Sequence, residues 1–252
     1  MATLKHLRRM LSNRPAVYEL GALLKLACLK CVYSGHDAIA SVLLCPGETG
    51  VVVDVGANRG QSAIRLANLR PRAEIISFEP NPRCLDGLKF TRWLLRSHPF
   101  SYYPYGISDR FGDLVYYEPC VNALPVSAEG TFCRENLDDE LEARIGAFTV
   151  RETRLPVRTL DSFNLSPTFL KIDVQGSELN VLRGARETIA RSRPVILVER
   201  NRYNEADVRA FMSEMGYRTV PTNFAEGDTL FAPQAMIPEL ESLAGQDAKR
   251  SA

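Results

Sequence analysis

From residue 50 onward the chain alternates short apolar runs with segments of helical period. Val51–Val55 is a β-branched run, the pattern of a strand buried on both faces of a sheet. Gly60–Leu69 then reads as a helix, Ala73–Phe78 as a second strand, and Pro82–Ser97 as a helix with Leu85, Leu88 and Trp93 available to pack. Ser101–Gly106 is a third strand. Residues 111–150 break the rhythm and read as irregular, with short strands and several turns. Regularity returns with a strand at Phe169–Asp173 and a helix at Ser177–Arg191, whose Leu179, Leu182, Ala185 and Ile189 share an inner face. Pro194–Glu199 is a strand, Glu205–Met215 a helix, and Tyr217–Pro221 and Thr229–Ala232 are closing strands. This alternation predicts an α/β fold: a Rossmann-like, doubly wound, mostly parallel sheet.

The flanks have a different character. Residues 1–48 read as a helical extension, with Leu20, Leu23, Leu24, Ala27 and Cys31 at helical spacing. Lys5, Arg8, Arg9, Arg14, Lys25 and Lys30 face only Glu19 within residues 1–33. A helical cap packed on the main domain is favoured over a basic amphipathic surface in weak contact with a membrane or an acidic partner. Residues 236–252 are polar and expected to fray, which leaves 49–235 as the Rossmann-like domain. No apolar run reaches the roughly 18 residues of a transmembrane helix, because Glu19, Lys25 and Lys30 interrupt Val17–Val32.

Composition narrows the class further. Of 252 residues, 45% are hydrophobic and 24% charged, with a net charge of +1. A core is available, and no basic field points to nucleic acid. The six cysteines follow no repeating framework, so reduced thiols in a cytoplasmic protein are expected. Cys28 and Cys31 lack the second pair a zinc site needs and read as small apolar residues on one helix face.

Chemistry concentrates where the first strand ends. Asp54-Val-Gly56-Ala-Asn58-Arg-Gly60-Gln-Ser62 passes from strand through a glycine-containing turn to a helix start. Glycines let the backbone turn sharply and approach a ligand, and the helix start offers free N–H groups and a positive dipole end. Nineteen residues after Gly60, Glu79 stands just past the second strand, where an acid accepts hydrogen bonds from both ribose hydroxyls. The loop is G-x-x-x-G rather than the G-x-G-x-x-G of a pyrophosphate binder. These features point to a nucleoside cofactor without a cradled pyrophosphate, with Asp54 supporting the loop or, through it, an ammonium group.

The stretches DVGANRGQS and ISFEPNP resemble the opening of the FkbM family of S-adenosylmethionine-dependent methyltransferases. GISDRFGDLVYY, VRTLDSF, FLKIDVQGSELNVLRGA, RPVILVERN, GYRTV and TLFAP resemble its later blocks, in order, over about residues 50–233. Asn58 in place of the usual middle glycine is the family's own habit, whereas Gln175 stands where the family usually has Glu. The resemblance implies a seven-stranded sheet with an antiparallel last strand, and O-methyl transfer to a small molecule or sugar hydroxyl. It assigns Asp54, Gly56, Asn58, Gly60 and Glu79 to S-adenosylmethionine, and places Ser108 and Asp109 where such enzymes contact the adenine.

Methyl transfer to oxygen needs an aligned hydroxyl and a group to remove its proton. Lys171 and Asp173 share a face near the end of an apolar strand, Gly176 turns the chain, and Glu178 falls in the next helix's first turn, so Asp173, Lys171 and Glu178 are the catalytic candidates. Glu178 also suits a helix N-terminus and Lys171–Asp173 a structural ion pair, with the functional reading favoured for Asp173. Asp173 and Glu199, from adjacent strand ends, are also placed to hold a divalent cation. His6, His36 and His98 lie outside these motifs. Tyr116, Tyr117, Asn122 and Ser127 in the irregular segment are candidates for setting the acceptor. The competing readings are a nicotinamide-dependent oxidoreductase, which shares the loop and Glu79, and a non-catalytic cofactor-binding module, hinted at only by Gln175.

Overall fold

The computed structural model describes residues 47–221 and 227–238, together with Ile39, Ser41, Val42 and Cys45. Most of the expected 1–48 extension, the Cys28–Cys31 pair and residues 239–252 lie outside the described residues.

β1 (Val51–Val55) is the central strand, and its β-branched side chains are buried on both faces. It pairs in parallel with β2 (Glu74–Phe78) on one side and β8 (Pro167–Ile172) on the other. β3 (Phe100–Tyr103) adds beyond β2, and β9 (Val195–Glu199) beyond β8, both parallel. β11 (Asp228–Pro233) lies antiparallel between β9 and β10 (Tyr217–Thr219), giving the order β10-β11-β9-β8-β1-β2-β3. The seven strands and the antiparallel last strand agree with the sequence expectation.

Two helical layers cover the sheet. α1 (Gln61–Leu69) and α2 (Leu85–Leu94) pack Ile64, Leu66 and Leu88 against Val52, Ile75 and Phe169 on one face. On the other face, α4 (Glu178–Arg183), α5 (Arg186–Ser192) and α6 (Glu205–Glu214) pack Val181, Leu182, Ile189 and Met212 against Val53, Val55, Leu170 and Ile172. Ile39 and Val42 are buried in the first of these cores, where the Arg70 guanidinium donates to the carbonyls of Val42, at 2.7 Å, Cys45, at 2.6 Å, and Gly47.

Four readings change. Residues 111–150 are not irregular throughout. β5 (Gly112–Val121) pairs antiparallel along its length with β7 (Thr149–Arg158), and β4 (Gly106–Ile107) and β6 (Leu124–Pro125) complete a second sheet of order β4-β7-β5-β6. The third strand ends at Tyr103, and Gly106 belongs to this second sheet. The helix read across Ser177–Arg191 breaks into α4 and α5 at Gly184 and Ala185, where the backbone of Ala185 leaves the helical range, and Gly184 passes so close to the Ser108 carbonyl that a Cβ there would lie 1.9 Å from its oxygen. Trp93, read as available to pack, is 58% exposed and stacks on Phe90 beneath Arg96.

Residues 122–148, which join β5 to β7, carry α3 (Asp139–Ile145) and fold over the carboxyl ends of β1, β2, β8 and β9. That end, where neighbouring strands connect in opposite directions, is where open α/β sheets hold ligands.

Candidate functional site

A cavity of about 680 Å³ opens between those strand ends and the roof. The size suits a small-molecule site.

Its floor is the β1–α1 loop. Gly56 sits at φ +82°, and a Cβ on it would fall 1.7 Å from the Asp173 carbonyl oxygen, so only glycine permits β1 and β8 to run this close. The N–H groups of Gly56 and Ala57 both donate to the Phe78 carbonyl, at 3.0 and 3.1 Å. Asn58 takes a left-handed turn at φ 50° that aims its N–H at Glu79 Oε2, 2.8 Å away. α1 then begins without a side-chain cap, and its first residues, Gln61 and Ser62, line the cavity. The first-turn N–H groups of a helix have no intrahelical partner.

Glu79 faces this loop from the end of β2. Its other oxygen, Oε1, accepts from Asn81 N–H at 2.8 Å. Burial, against the pull of these two N–H donors, pushes its carboxyl up to about 7. Asn81 Nδ2 donates to Glu118 Oε1 at 2.9 Å, Ser127 Oγ donates to the same oxygen at 3.1 Å, and Arg83 pairs with Glu118 at 3.3 Å. Glu118 thus fastens the second sheet to the segment that follows β2.

The opposite end of the cavity is acidic. Asp173 and Glu199 converge from the ends of β8 and β9, and Gln175 Nε2 donates to Asp173 Oδ1 at 3.0 Å and to Glu199 Oε2 at 2.6 Å. Lys171 Nζ donates to Asp173 Oδ2 at 3.1 Å and lies 3.4 Å from Asp54 Oδ1, an ion pair without an aligned hydrogen bond. Although burial opposes its charge, Lys171 with its donors holds Asp173 below the usual carboxylate range. Burial and then the neighbouring Asp173 charge push Glu199 above it. The two carboxyls titrate as one pair, with the lower step nearer Asp173 and the upper nearer Glu199.

Of the residues singled out from sequence, Gly56, Asn58, Glu79, Asp173 and Glu199 line the cavity, as do Tyr116 and Ser127. Tyr117 and Asn122 do not. Asp54 is fully buried behind the loop, where it pairs with Lys171 and accepts from Ser77 Oγ at 3.3 Å. Gly60 packs on Thr91 rather than facing the cavity. Glu178 is also fully buried and away from the cavity; it accepts from Gly176 N–H at 2.8 Å and Asn204 Nδ2 at 2.7 Å, which fixes the β8–α4 loop. Ser108 and Asp109 lie outside the lining, and the preceding Gly106 and Ile107 take their place. The cation expected between Asp173 and Glu199 is not supported. The Gln175 amide fills the position between the carboxylates, and among the described residues no group of three His, Cys, Asp or Glu is placed to hold a metal.

The roof contributes side chains that sequence reasoning missed. Asp138 caps α3 by accepting from Leu141 N–H at 2.9 Å, and binds Arg202 and the Tyr203 hydroxyl. Asn201 Nδ2 donates to Asn136 Oδ1 at 2.7 Å, and Arg144 grips Glu129 through two bonds of 2.8 and 2.7 Å. The roof is thereby fastened to the loop after β9.

A sequence model of the methyltransferase FkbM domain matches residues 54–219. The chain belongs to the FkbM methyltransferase family. It is similar to the 2-O-methyltransferase NoeI of Sinorhizobium fredii, 28% identical over 63% of this chain and 65% of that protein. It is also similar to the hexuronic acid methyltransferase AglP of Haloferax volcanii, 29% identical over 71% of this chain and 68% of AglP. An FkbM methyltransferase from Methylobacillus flagellatus shares the fold, with a TM-score of 0.55 and 18% identity over 88% of this chain and 57% of that one. The chain therefore spans about two thirds of NoeI's length and just over half of the Methylobacillus protein's. Membership of the FkbM family does not favour the nicotinamide-dependent oxidoreductase reading. Among the described residues no helix is long and apolar enough to cross a membrane.

Proposed function

We infer that the protein is an S-adenosylmethionine-dependent O-methyltransferase acting on a sugar hydroxyl, and that it works in the cytoplasm. The observation that carries the reading is a single cavity with Glu79 at one end and the Asp173–Glu199 pair at the other. Family membership supports the cofactor, the name of NoeI supports transfer to oxygen, and that of AglP, a hexuronic acid methyltransferase, supports a sugar acceptor.

The residues present fit the cofactor. Glu79 supplies a carboxylate for the ribose diol, the open start of α1 suits the methionine carboxylate, and Phe78 and Ile107 give an apolar wall for the adenine. When bound, the sulfonium supplies an electrophilic methyl group. The protein's part is to orient the acceptor hydroxyl beneath the roof, keep water out and remove the proton. That proton passes to the Asp173–Glu199 pair, whose upper titration step is the better matched to a base. Lys171 and Asp54 hold Asp173 in place from behind. A bound cation is not needed here, because Gln175 and Lys171 already satisfy the carboxylates' inner oxygens.

Calorimetry with S-adenosylmethionine and S-adenosylhomocysteine tests the cofactor, and radiolabelled methyl transfer to neutral and uronic acid glycosides tests the acceptor. Micromolar binding weakened about tenfold or more by Glu79→Ala is expected, since two charge-assisted hydrogen bonds are lost. A folded wild type that binds neither nucleoside would refute the reading.

A further inference from the structure

Gln175 is the one lining residue that touches both catalytic carboxylates, and it departs from the Glu expected from family resemblance. Its backbone sits at φ +54°, a left-handed conformation that residues with a Cβ adopt only when their surroundings hold them there. Those surroundings are present. Thr131, buried in the second sheet's connection, donates its hydroxyl to the Gln175 carbonyl at 2.5 Å and accepts from Cys133 N–H at 2.8 Å. On the far side, Asn204 Nδ2 donates to the Gly176 carbonyl at 2.9 Å. The turn is clamped from the roof and from α6 together.

The clamp aims the side chain. A primary amide carries two N–H bonds on one nitrogen, so Nε2 can reach Asp173 and Glu199 at once. A carboxylate at 175 would instead bring a third negative group against the pair.

We propose that Gln175 is the positioning residue of the methyl-transfer site: its amide fixes how Asp173 and Glu199 face each other and face the acceptor hydroxyl. The proposal rests on the methyl-transfer reading of the cavity. Both of the amide's bonds favour the ionised carboxyls, so Gln175 also lowers the pH at which the pair becomes a base. The other groups acting on the pair are Lys171 from β8, Asp54 from β1, Glu79 after β2 and Glu178 from α4, while Arg200 and Arg202 after β9 line the same cavity. None of them bridges the two carboxylates.

The test uses the full chain with its Asp and Glu carboxyl carbons labelled with carbon-13. NMR titration follows the pair in the wild type, Gln175→Leu and the isosteric Gln175→Glu, and calorimetry measures S-adenosylhomocysteine binding to each. The upper apparent pKa should rise by about one pH unit in Gln175→Leu, the scale of one lost hydrogen bond to a charged group. It should rise at least as far in Gln175→Glu, while nucleoside affinity stays within about twofold in both, a difference below ~0.5 kcal/mol. The pH for half-maximal methyl transfer to a glycoside should move up in step. An unmoved titration in both variants, with nucleoside binding intact, overturns the proposal. Loss of nucleoside binding in step with the titration would overturn it too, since Gln175 would then shape the whole cavity. No nucleoside binding by the wild type refutes the methyl-transfer reading itself, and this proposal falls with it.

Discussion

If Glu79 holds the ribose as proposed, cofactor binding should depend on pH, with a sign and size that follow from its burial. Its carboxyl is buried and pushed up to about 7 from an ordinary 4.5. On that reading the ribose hydroxyls would donate to the ionised form, so binding would favour loss of the Glu79 proton. Only the ionised fraction is competent, about one molecule in eleven at pH 6 and ten in eleven at pH 8. The dissociation constant of S-adenosylhomocysteine should therefore fall about tenfold across that range and level off above it. Folding is linked with the opposite sign. The folded state holds this proton more tightly than the unfolded state, so its contribution is complete below about pH 4.5 and is lost as pH rises through about 7, to a limit of about 3 kcal/mol. Glu79→Gln should flatten the binding curve. Because the amide nitrogen must face either Asn58 N–H or Asn81 N–H, it should also cost about 1–3 kcal/mol of stability. Calorimetry in buffers of different ionisation enthalpy counts the protons released. Equal wild-type affinity at pH 6 and pH 8, with no proton release, would refute the reasoning.

Gly56→Ala should abolish cofactor binding and lower stability by at least about 2 kcal/mol in thermal unfolding, since it adds left-handed strain to a Cβ placed 1.7 Å from the Asp173 carbonyl oxygen. Lys171→Met leaves fully buried Asp54 without its cation and should cost about 3–5 kcal/mol in urea unfolding at neutral pH. Part of that loss should return at acid pH, where the stranded carboxyls take up protons, and equal loss at both pH values would count against the pairing. Dialysis against a strong chelator should leave methyl transfer unchanged, whereas loss of activity restored by added magnesium would reinstate a metal at Asp173 and Glu199.

The main sheet was legible because its strands are buried on both faces and therefore uniformly apolar, as Val52, Val53 and Val55 show. β7 was not, because nearly all of TVRETRLPVR is solvated and only Leu155 and Val157 turn inward. Its partner β5 defines it, through an antiparallel ladder from the Gly112–Val157 pair to the Cys120–Thr149 pair. The break between α4 and α5 was hidden for a related reason. A helix interrupted for one or two residues at Gly184 and Ala185 keeps its apolar period on both sides.

At the site, residue type was legible but facing was not. Asp54 and Glu79 both stand at strand ends, yet one turns into the core and the other toward the cavity. Asp138, Arg144 and Tyr203 belong to no strand–turn–helix motif and become neighbours only when the roof folds back onto the β9 loop. The capping geometry of Asp138 before α3 was the one local signal available.

The small sheet leaves the large one after only two residues, between Tyr103 and Gly106, and the roof springs from β5 and returns through β7. The acceptor wall is therefore modular. Exchanging residues 122–148 for the equivalent stretch of a relative keeps the whole β5–β7 ladder and the β1–α1 loop with Glu79, and preserves the Gln175 turn only where the replacement keeps a donor in the place of Thr131. Grafts of this kind would separate the choice of acceptor from the binding of the methyl donor that we propose, so that one could vary while the other is kept.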